Sequence, residues 1–221
     1  MLKGGLPKGS MTLLLGTPGT GKTTIGLEFL LEGLRNERPS VEVLTFPSDN
    51  LKMIAEGFEW ELSLLEKLIY LDLFSSRIGA KPTSEYSADP HNLSDVSIIL
   101  GKALEARKAS SEASPRLVVD SLSDIFIQVK DGTVVTRFLQ SLKQKLTTFG
   151  VTTLVLVEQG MHDDQTVTQI EFVCDGTVLL RQIEEERQLS IKRMIATPAQ
   201  PKWIPYTMLT GIDVKAEAFL R

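Results

Sequence analysis

A single cysteine, Cys174, and two widely separated histidines, His91 and His162, leave this 221-residue chain almost without soft metal ligands. An internal disulfide is excluded, and no Cys/His spacing of a familiar zinc site is present. Redox and transition-metal chemistry are therefore not expected. No uninterrupted apolar run reaches the roughly 18 residues that a membrane-spanning helix needs. The opening MLKGGLPKGS holds no apolar stretch of signal-peptide kind. The chain thus reads as soluble and cytoplasmic, without membrane insertion. Neither charge is in large excess: 24 Lys and Arg stand against 28 Asp and Glu, a net charge of −4. That supplies no general field for nucleic acid or an anionic membrane, so any such binding would be local. Internal repeats and low-complexity tracts are lacking too, and residues 1–221 read as one domain.

What is present is a succession of short apolar runs, at residues 11–15, 41–46, 68–73, 117–119 and 151–157. They have strand length, and without strict alternation they suit strands buried on both faces, as in a parallel sheet. Between them run helical stripes: Leu27, Leu30, Leu31 and Leu34; Val96, Ile99, Leu100 and Ala103; Val135, Phe138, Leu139, Leu142 and Leu146. Gly150 stands where the last of these needs a left-handed cap. Strand alternating with helix predicts an α/β fold with a mainly parallel sheet flanked by helices. After about residue 176, strand-like runs at 177–181, 188–195 and 206–209 follow without long helices between them, which predicts an antiparallel C-terminal extension. Two connections stand out. Residues 75–92 form a long polar stretch of functional or mobile kind. Residues 197–205 carry three prolines around Trp203, which reads either as a plug for a local apolar dimple or as a contact with a neighbouring subunit.

The chemistry is concentrated in GTPGTGKTT, residues 16–24. Gly16, four residues, then Gly21-Lys22-Thr23 satisfies the full phosphate-loop pattern, with a strand before it and an amphipathic helix after it. Glycines let successive N–H groups turn toward phosphate oxygens, and the helix adds the positive end of its dipole. The candidate ATP-binding residues are therefore Gly16, Thr17, Pro18, Gly19, Thr20, Gly21, Lys22, Thr23 and Thr24. Lys22 faces the β- and γ-phosphates, and the Thr23 hydroxyl is a ligand for Mg²⁺. The apolar run 117–119 ends in Asp120, the expected Walker B carboxylate and second Mg²⁺ residue.

These residues carry a family resemblance. The blocks GGLPKGSMTLLLGTPGTGKTT (4–24), LVVDSLSDI (117–125), TTLVLVEQG (152–160), DGTVLLR (175–181) and LSIKRMIAT (189–197) resemble, in order, those of KaiC-like ATPases of the RecA superfamily. The resemblance implies a RecA-like P-loop core, Mg-ATP as ligand, and a homo-oligomer with nucleotide near subunit interfaces. It makes Lys22, Asp120 and Glu158 the catalytic candidates, Glu158 being either a γ-phosphate sensor or an ordinary polar strand end. Arg193 is the candidate for a contact across an interface to a neighbour's nucleotide, its other reading being a solvated charge.

Three departures qualify the activity. Where the family carries a Glu-Glu pair that polarises water, this chain has Pro47-Ser48-Asp49. Where the family carries its trans arginine, this chain has Ile195. The segment usual before the paired glycines is missing ahead of Gly4. An arginine finger is worth about 10³–10⁵ in rate, so the leading expectation is a Mg-ATP-binding protein with weak or no hydrolysis, acting as a nucleotide-dependent switch or assembly component. Two alternatives stand. One is a competent ATPase with Asp49 as a relocated base, against Asp49 as the N-cap of the helix that follows. The other is a recombinase-like protein binding single-stranded DNA through residues 130–136 and 160–168. The second of these stretches, GMHDDQTVT, has two acids and no Lys or Arg. Which protein partner reads the nucleotide is not legible.

Overall fold

Every residue of the run MTLLLG is buried, and that double-sided burial sets the architecture. A computed structural model describes residues 5–108, 113–198 and 201–214. In chain order the elements are β1 (Met11–Gly16), α1 (Lys22–Arg35), β2 (Ser40–Leu44), α2 (Asp49–Gly57), α3 (Leu62–Leu65), β3 (Ile69–Asp72), α4 (Phe74–Arg77), β4 (Tyr86–Ser87) and α5 (Leu93–Lys108). There follow β5 (Arg116–Asp120), α6 (Leu122–Val129), α7 (Gly132–Phe149), β6 (Thr152–Glu158), α8 (Asp164–Val173), β7 (Gly176–Ile183), β8 (Glu186–Met194), β9 (Ile204–Met208) and β10 (Ile212–Val214).

The strands form one sheet in the order β10-β9-β8-β7-β1-β6-β5-β2-β3-β4. From β7 to β4 every pairing is parallel, and from β7 to β10 every pairing is antiparallel. Alternate residues feed two cores. Leu13, Val43, Val119 and Val155 face Leu100, Ile125, Leu142 and Ile170 of the helices α5 to α8. Leu14, Leu44, Val118 and Leu156 face Leu27, Leu30 and Leu31 of α1 and Leu51 of α2. The fold is thus the α/β arrangement expected, with the antiparallel extension on the β7 side. The expected strand at 41–46 is shorter, because Phe46 and Pro47 lie in the turn that leads into α2.

Local chemistry sets several boundaries. Gly150, at φ 67°, closes α7 in the left-handed cap. Asp131 and Asp163 start α7 and α8 by accepting from N–H groups of the first turn, and Ser121 does the same for α6. Asp49 departs from expectation. It is the first residue of α2 and not its cap, which is Ser48. Its carboxylate gains from the helix dipole instead.

The connection 75–92 is better ordered than its composition suggests. It contains the end of α4 and the short edge strand β4, and Asp72 at the end of β3 ties it down. Asp72 Oδ1 accepts from the N–H groups of Phe74 and Ser75, both at 2.9 Å. Its Oδ2 accepts from Ser75 Oγ at 2.6 Å, Thr83 N at 3.0 Å and Thr83 Oγ1 at 2.9 Å. Burial alone would raise this carboxyl, but the hydrogen bonds from Ser75 and Thr83 outweigh it and hold Asp72 down at about 2. Arg77, on the same connection, donates to Thr45 O at 3.2 Å and pairs with Asp124. The expected arm at 197–205 includes residues 199 and 200, which lie outside the described residues. Its Ile204 and Pro205 belong to β9. The Arg181 guanidinium stacks 3.8 Å from the centroid of the Trp203 ring, so this indole covers an arginine of its own chain.

Asp72→Ala leaves the Ser75 and Thr83 donors unpaired and should cost about 2–4 kcal/mol at pH 7. A carboxyl lowered by folding stabilises above its ordinary value and stops doing so as pH falls through the folded value. The gap between wild type and variant in urea denaturation should therefore close between about pH 4 and pH 2. A gap independent of pH would show that the carboxylate charge does not anchor this connection.

Candidate functional site

Gly16 ends β1 with no room for a side chain: a Cβ there would lie 2.8 Å from both Leu180 Cβ and Thr20 Oγ1. Gly19 and Gly21 stand at φ 83° and 79°, a region that glycine enters without steric cost. A Cβ on Gly21 would also run into the Met208 thioether. The loop carbonyls are almost all engaged. Gly16 O accepts from Gln159 N and Lys22 Nζ, both at 2.9 Å, and Thr17 O accepts from Thr20 Oγ1 at 2.7 Å and Lys22 Nζ at 3.0 Å. Gly19 O accepts from Arg187 Nε at 3.3 Å, and Thr20 O from Tyr206 OH at 2.6 Å. Gly21 O accepts the first helical bond, from Ile25 N. No side chain caps α1. The first N–H groups of that helix are consequently left to an anion, which a helix start with its dipole is suited to bind.

Lys22 is buried, and its ammonium donates to three acceptors: the carbonyls of Gly16 and Thr17, and Glu158 Oε2 at 2.9 Å. An ammonium has three N–H donors, so all are used. Glu158 reaches this position because β6 lies between β1 and β5, with Gly16 and Glu158 side by side. Asp120 therefore does not stand on the strand next to the phosphate loop. It reaches the site across β6, where the Thr23 hydroxyl of α1 is near enough to favour its ionised form. The Glu158 backbone N–H is fixed in turn by Ser123 Oγ at 2.9 Å, which also meets His162 Nε2 at 2.9 Å.

Asp120 is 5% exposed, and burial pushes its carboxyl up to about 6; Glu158 adds to the rise, while Thr23 and Lys22 oppose it. Its Oδ2 is buried without a protein hydrogen-bond partner. An orphaned carboxylate oxygen beside a threonine hydroxyl suits a hard cation such as Mg²⁺. Among the described residues no group of three His, Cys, Asp or Glu could hold a metal, so an ion at Thr23 and Asp120 would take its remaining ligands from phosphate and water.

The remaining sequence candidates separate. Thr17, Pro18 and Gly19 form the exposed tip of the loop, whereas Thr20 and Thr24 are buried. Arg193 does not approach its own phosphate loop. It sits near the start of β7, paired with Thr177, and donates to the carbonyls of Glu171 and Cys174 at the end of α8. There its charge serves as a helix C-terminal partner. Ile195 is half exposed beside it. Asp49 lines a groove with Lys52, Leu62, Leu65 and Tyr70, to which no residue of the phosphate loop contributes.

Sequence reasoning missed two features. The first is Glu42, fully buried on β2 with neither carboxylate oxygen partnered; burial, and then Asp120, push its carboxyl well above the ordinary range. Register puts it on the same sheet face as Asp120, two residues before Leu44, which pairs with Asp120. Its signal was a lone acid inside the apolar run VEVL. The second is the wall of Arg187, Tyr206 and Met208 behind the loop, for which no local signal exists.

Folding raises Asp120 above its ordinary value, so its ionised form burdens the nucleotide-free protein at high pH and the burden disappears once both states are protonated. Asp120→Asn should therefore raise stability by about 1–3 kcal/mol at pH 8, measured by urea denaturation. That gain should shrink as pH falls from 6 to 4. A loss of stability at pH 8 would contradict this electrostatic description.

Comparison with known proteins agrees with the geometry. The family described as KaiC ATPase matches residues 1–218. The circadian clock oscillator protein KaiC of Prochlorococcus marinus subsp. pastoris is 32% identical over 219 residues, covering 93% of this chain and 41% of the relative. The protein of the same name from Thermostichus vulcanus is 31% identical over 224 residues, covering 96% and 41%. A crystal structure of a KaiC-like protein from the hyperthermophilic archaeon Pyrococcus horikoshii OT3 superposes with a TM-score of 0.77 at 27% identity, over 96% of this chain and 92% of that one. The chain thus spans 41% of the length of each of the two clock proteins. Matches of this extent, to the family and to a solved structure alike, mean that the chain belongs to the KaiC family of RecA-superfamily P-loop ATPases.

Proposed function

We propose that residues 1–221 act as one Mg-ATP-binding unit that turns ATP over slowly, so that nucleotide occupancy serves as a switch or an assembly signal. The observation that carries this reading is the imbalance of the site. The ground-state apparatus is assembled around Lys22, held by Glu158 and two loop carbonyls. The positions for water activation and trans charge hold Pro47-Ser48 and Ile195.

In this reading the loop 16–24 receives the phosphates, and Lys22 exchanges its carbonyl partners for β- and γ-phosphate oxygens. Thr23 and Asp120 hold Mg²⁺, which supplies neutralisation of phosphate charge when bound. Glu158 keeps Lys22 oriented and reports the arrival of the γ-phosphate. Arg193 acts only across an interface, toward the nucleotide of a second copy in a homo-oligomer. The chain works in the cytoplasm with a protein partner as reader. The acidic loop after β6 supports no role in single-stranded nucleic-acid binding. Among the described residues no helix is long and apolar enough to cross a membrane.

Lys22→Ala removes charge-assisted bonds to phosphate and should weaken Mg-ATP binding by about 100-fold or more in calorimetry. Unchanged affinity would refute the phosphate-loop assignment. Turnover needs two separate repairs, because the carboxylate acts on the nucleophile and the arginine on the γ-phosphoryl oxygens. A Pro47→Glu/Ser48→Glu chain mixed with an Ile195→Arg chain should hydrolyse faster than either alone. Fast hydrolysis by the unmodified protein, abolished by Lys22→Ala, would overturn the slow-turnover reading.

A further inference from the structure

β6 pairs with β5 only as far as Val119 and Val155, so the backbone N–H of Glu158, three residues further on, has no strand partner on that side. A side chain supplies one. Ser123, in the first turn of α6 and 1% exposed, accepts from Glu158 N at 2.9 Å. This bond fixes the strand end from which Glu158 Oε2 meets Lys22 at 2.9 Å. The same hydroxyl lies 2.9 Å from His162 Nε2.

A buried hydroxyl that has accepted one hydrogen bond must still place its own hydrogen. Among the described residues His162 Nε2 is the only acceptor that Ser123 Oγ meets. The hydroxyl therefore donates, and Nε2 is the bare nitrogen of a neutral imidazole. The surroundings agree. Gly160, at φ 88°, turns the chain after β6, and His162 comes to rest half-buried with its ring 5.0 Å from that of Phe126 on α6. Burial holds the imidazole below its ordinary value, and Asp163 opposes this. Of the other charged groups on the elements around it, Glu158 is paired with Lys22 and Asp124 with Arg77, Asp131 caps α7 and Asp164 opens α8. Protonation at Nε2 reverses the contact. Either two donors face each other, or Ser123 accepts from both partners and leaves its own hydrogen buried without an acceptor. In both cases the link between loop, α6 and β6 is weakened.

We infer that His162 is a positioning residue for the phosphate site: as a neutral imidazole it orients Ser123 onto the end of β6, and its protonation loosens Glu158 and, through Glu158, Lys22. The inference rests on the proposed Mg-ATP site and adds a regulation to it. The link is intact above the ordinary imidazole value and is lost as pH falls through the folded value, so nucleotide binding weakens in acid.

Two measurements test it. Calorimetry with Mg-ATP from pH 8 to pH 5 compares wild type with His162→Gln, whose amide oxygen can accept from Ser123 and does not titrate. The two chains should bind alike at pH 8, and wild type should bind about 3- to 10-fold more weakly than the variant at pH 5. Asp120 and the phosphates titrate in both chains, so the difference belongs to the imidazole. The second measurement needs no variant at the site: nitrogen-15 NMR of the His162 ring, assigned with the help of His91→Gln. Nε2 should be the bare nitrogen at pH 8, and saturating Mg-ATP should move the titration of the ring to lower pH by about 0.5–1, as reciprocity requires. Parallel pH profiles in the two chains, or a ring that titrates identically with and without Mg-ATP, would overturn the inference. The proposed site would still stand if wild type binds Mg-ATP and Lys22→Ala does not. A wild-type protein that binds no Mg-ATP at pH 8 would remove the site and the inference together.

Discussion

A buried ammonium sets the terms for this structure. Lys22 lies at the start of α1 under the phosphate loop, and its charge must be met there or the fold bears a penalty of several kcal/mol. Glu158 and the carbonyls of Gly16 and Thr17 meet it, so three separate elements converge on one nitrogen. That convergence requires β6 to lie beside β1, and the sheet order provides it. In the proposed function, phosphate would compete for donors already gathered in place, and little would have to be rearranged to receive it.

The acids around this lysine are unequal in a way that follows from burial. Glu158 is ion-paired and partly exposed; Asp120 is buried with one oxygen orphaned; Glu42, deeper still, is pushed toward its neutral form. A neutral Glu42 relieves Asp120 of a second negative neighbour on the same sheet face. The orphaned oxygen of Asp120 costs stability in the absence of a ligand, and a cation beside Thr23 would remove that cost. In the proposed function, affinity for the cation and instability of the free protein would have a common source.

Much of the fold could be read from patterning, because strands buried on both faces leave unbroken apolar runs such as 11–15 and 151–157 and helices leave stripes. The phosphate loop was legible for a similar reason: its function depends on backbone conformation within a few consecutive residues. What escaped depends on distant parts of the chain. That β6 separates β1 from β5 is a matter of crossover order, which no local run encodes. Arg187 and Tyr206 meet the loop through pairings made more than a hundred residues later. Asp72 lies inside the run 68–73 with no local signal of its own, and its role appears only once Thr83 folds back onto it. Asp49 was misplaced by one helical position, and Arg193 proved to be engaged with the end of α8 in its own chain.

The central claim is that the site holds ATP far better than it breaks it. Phosphorus NMR of the purified protein with stoichiometric Mg-ATP tests this most directly, since bound triphosphate, diphosphate and free phosphate give separate signals. The account predicts shifted α, β and γ resonances that persist for hours with little free phosphate. Conversion of the bound triphosphate to diphosphate and phosphate within the first minutes, lost in Lys22→Ala, would contradict it.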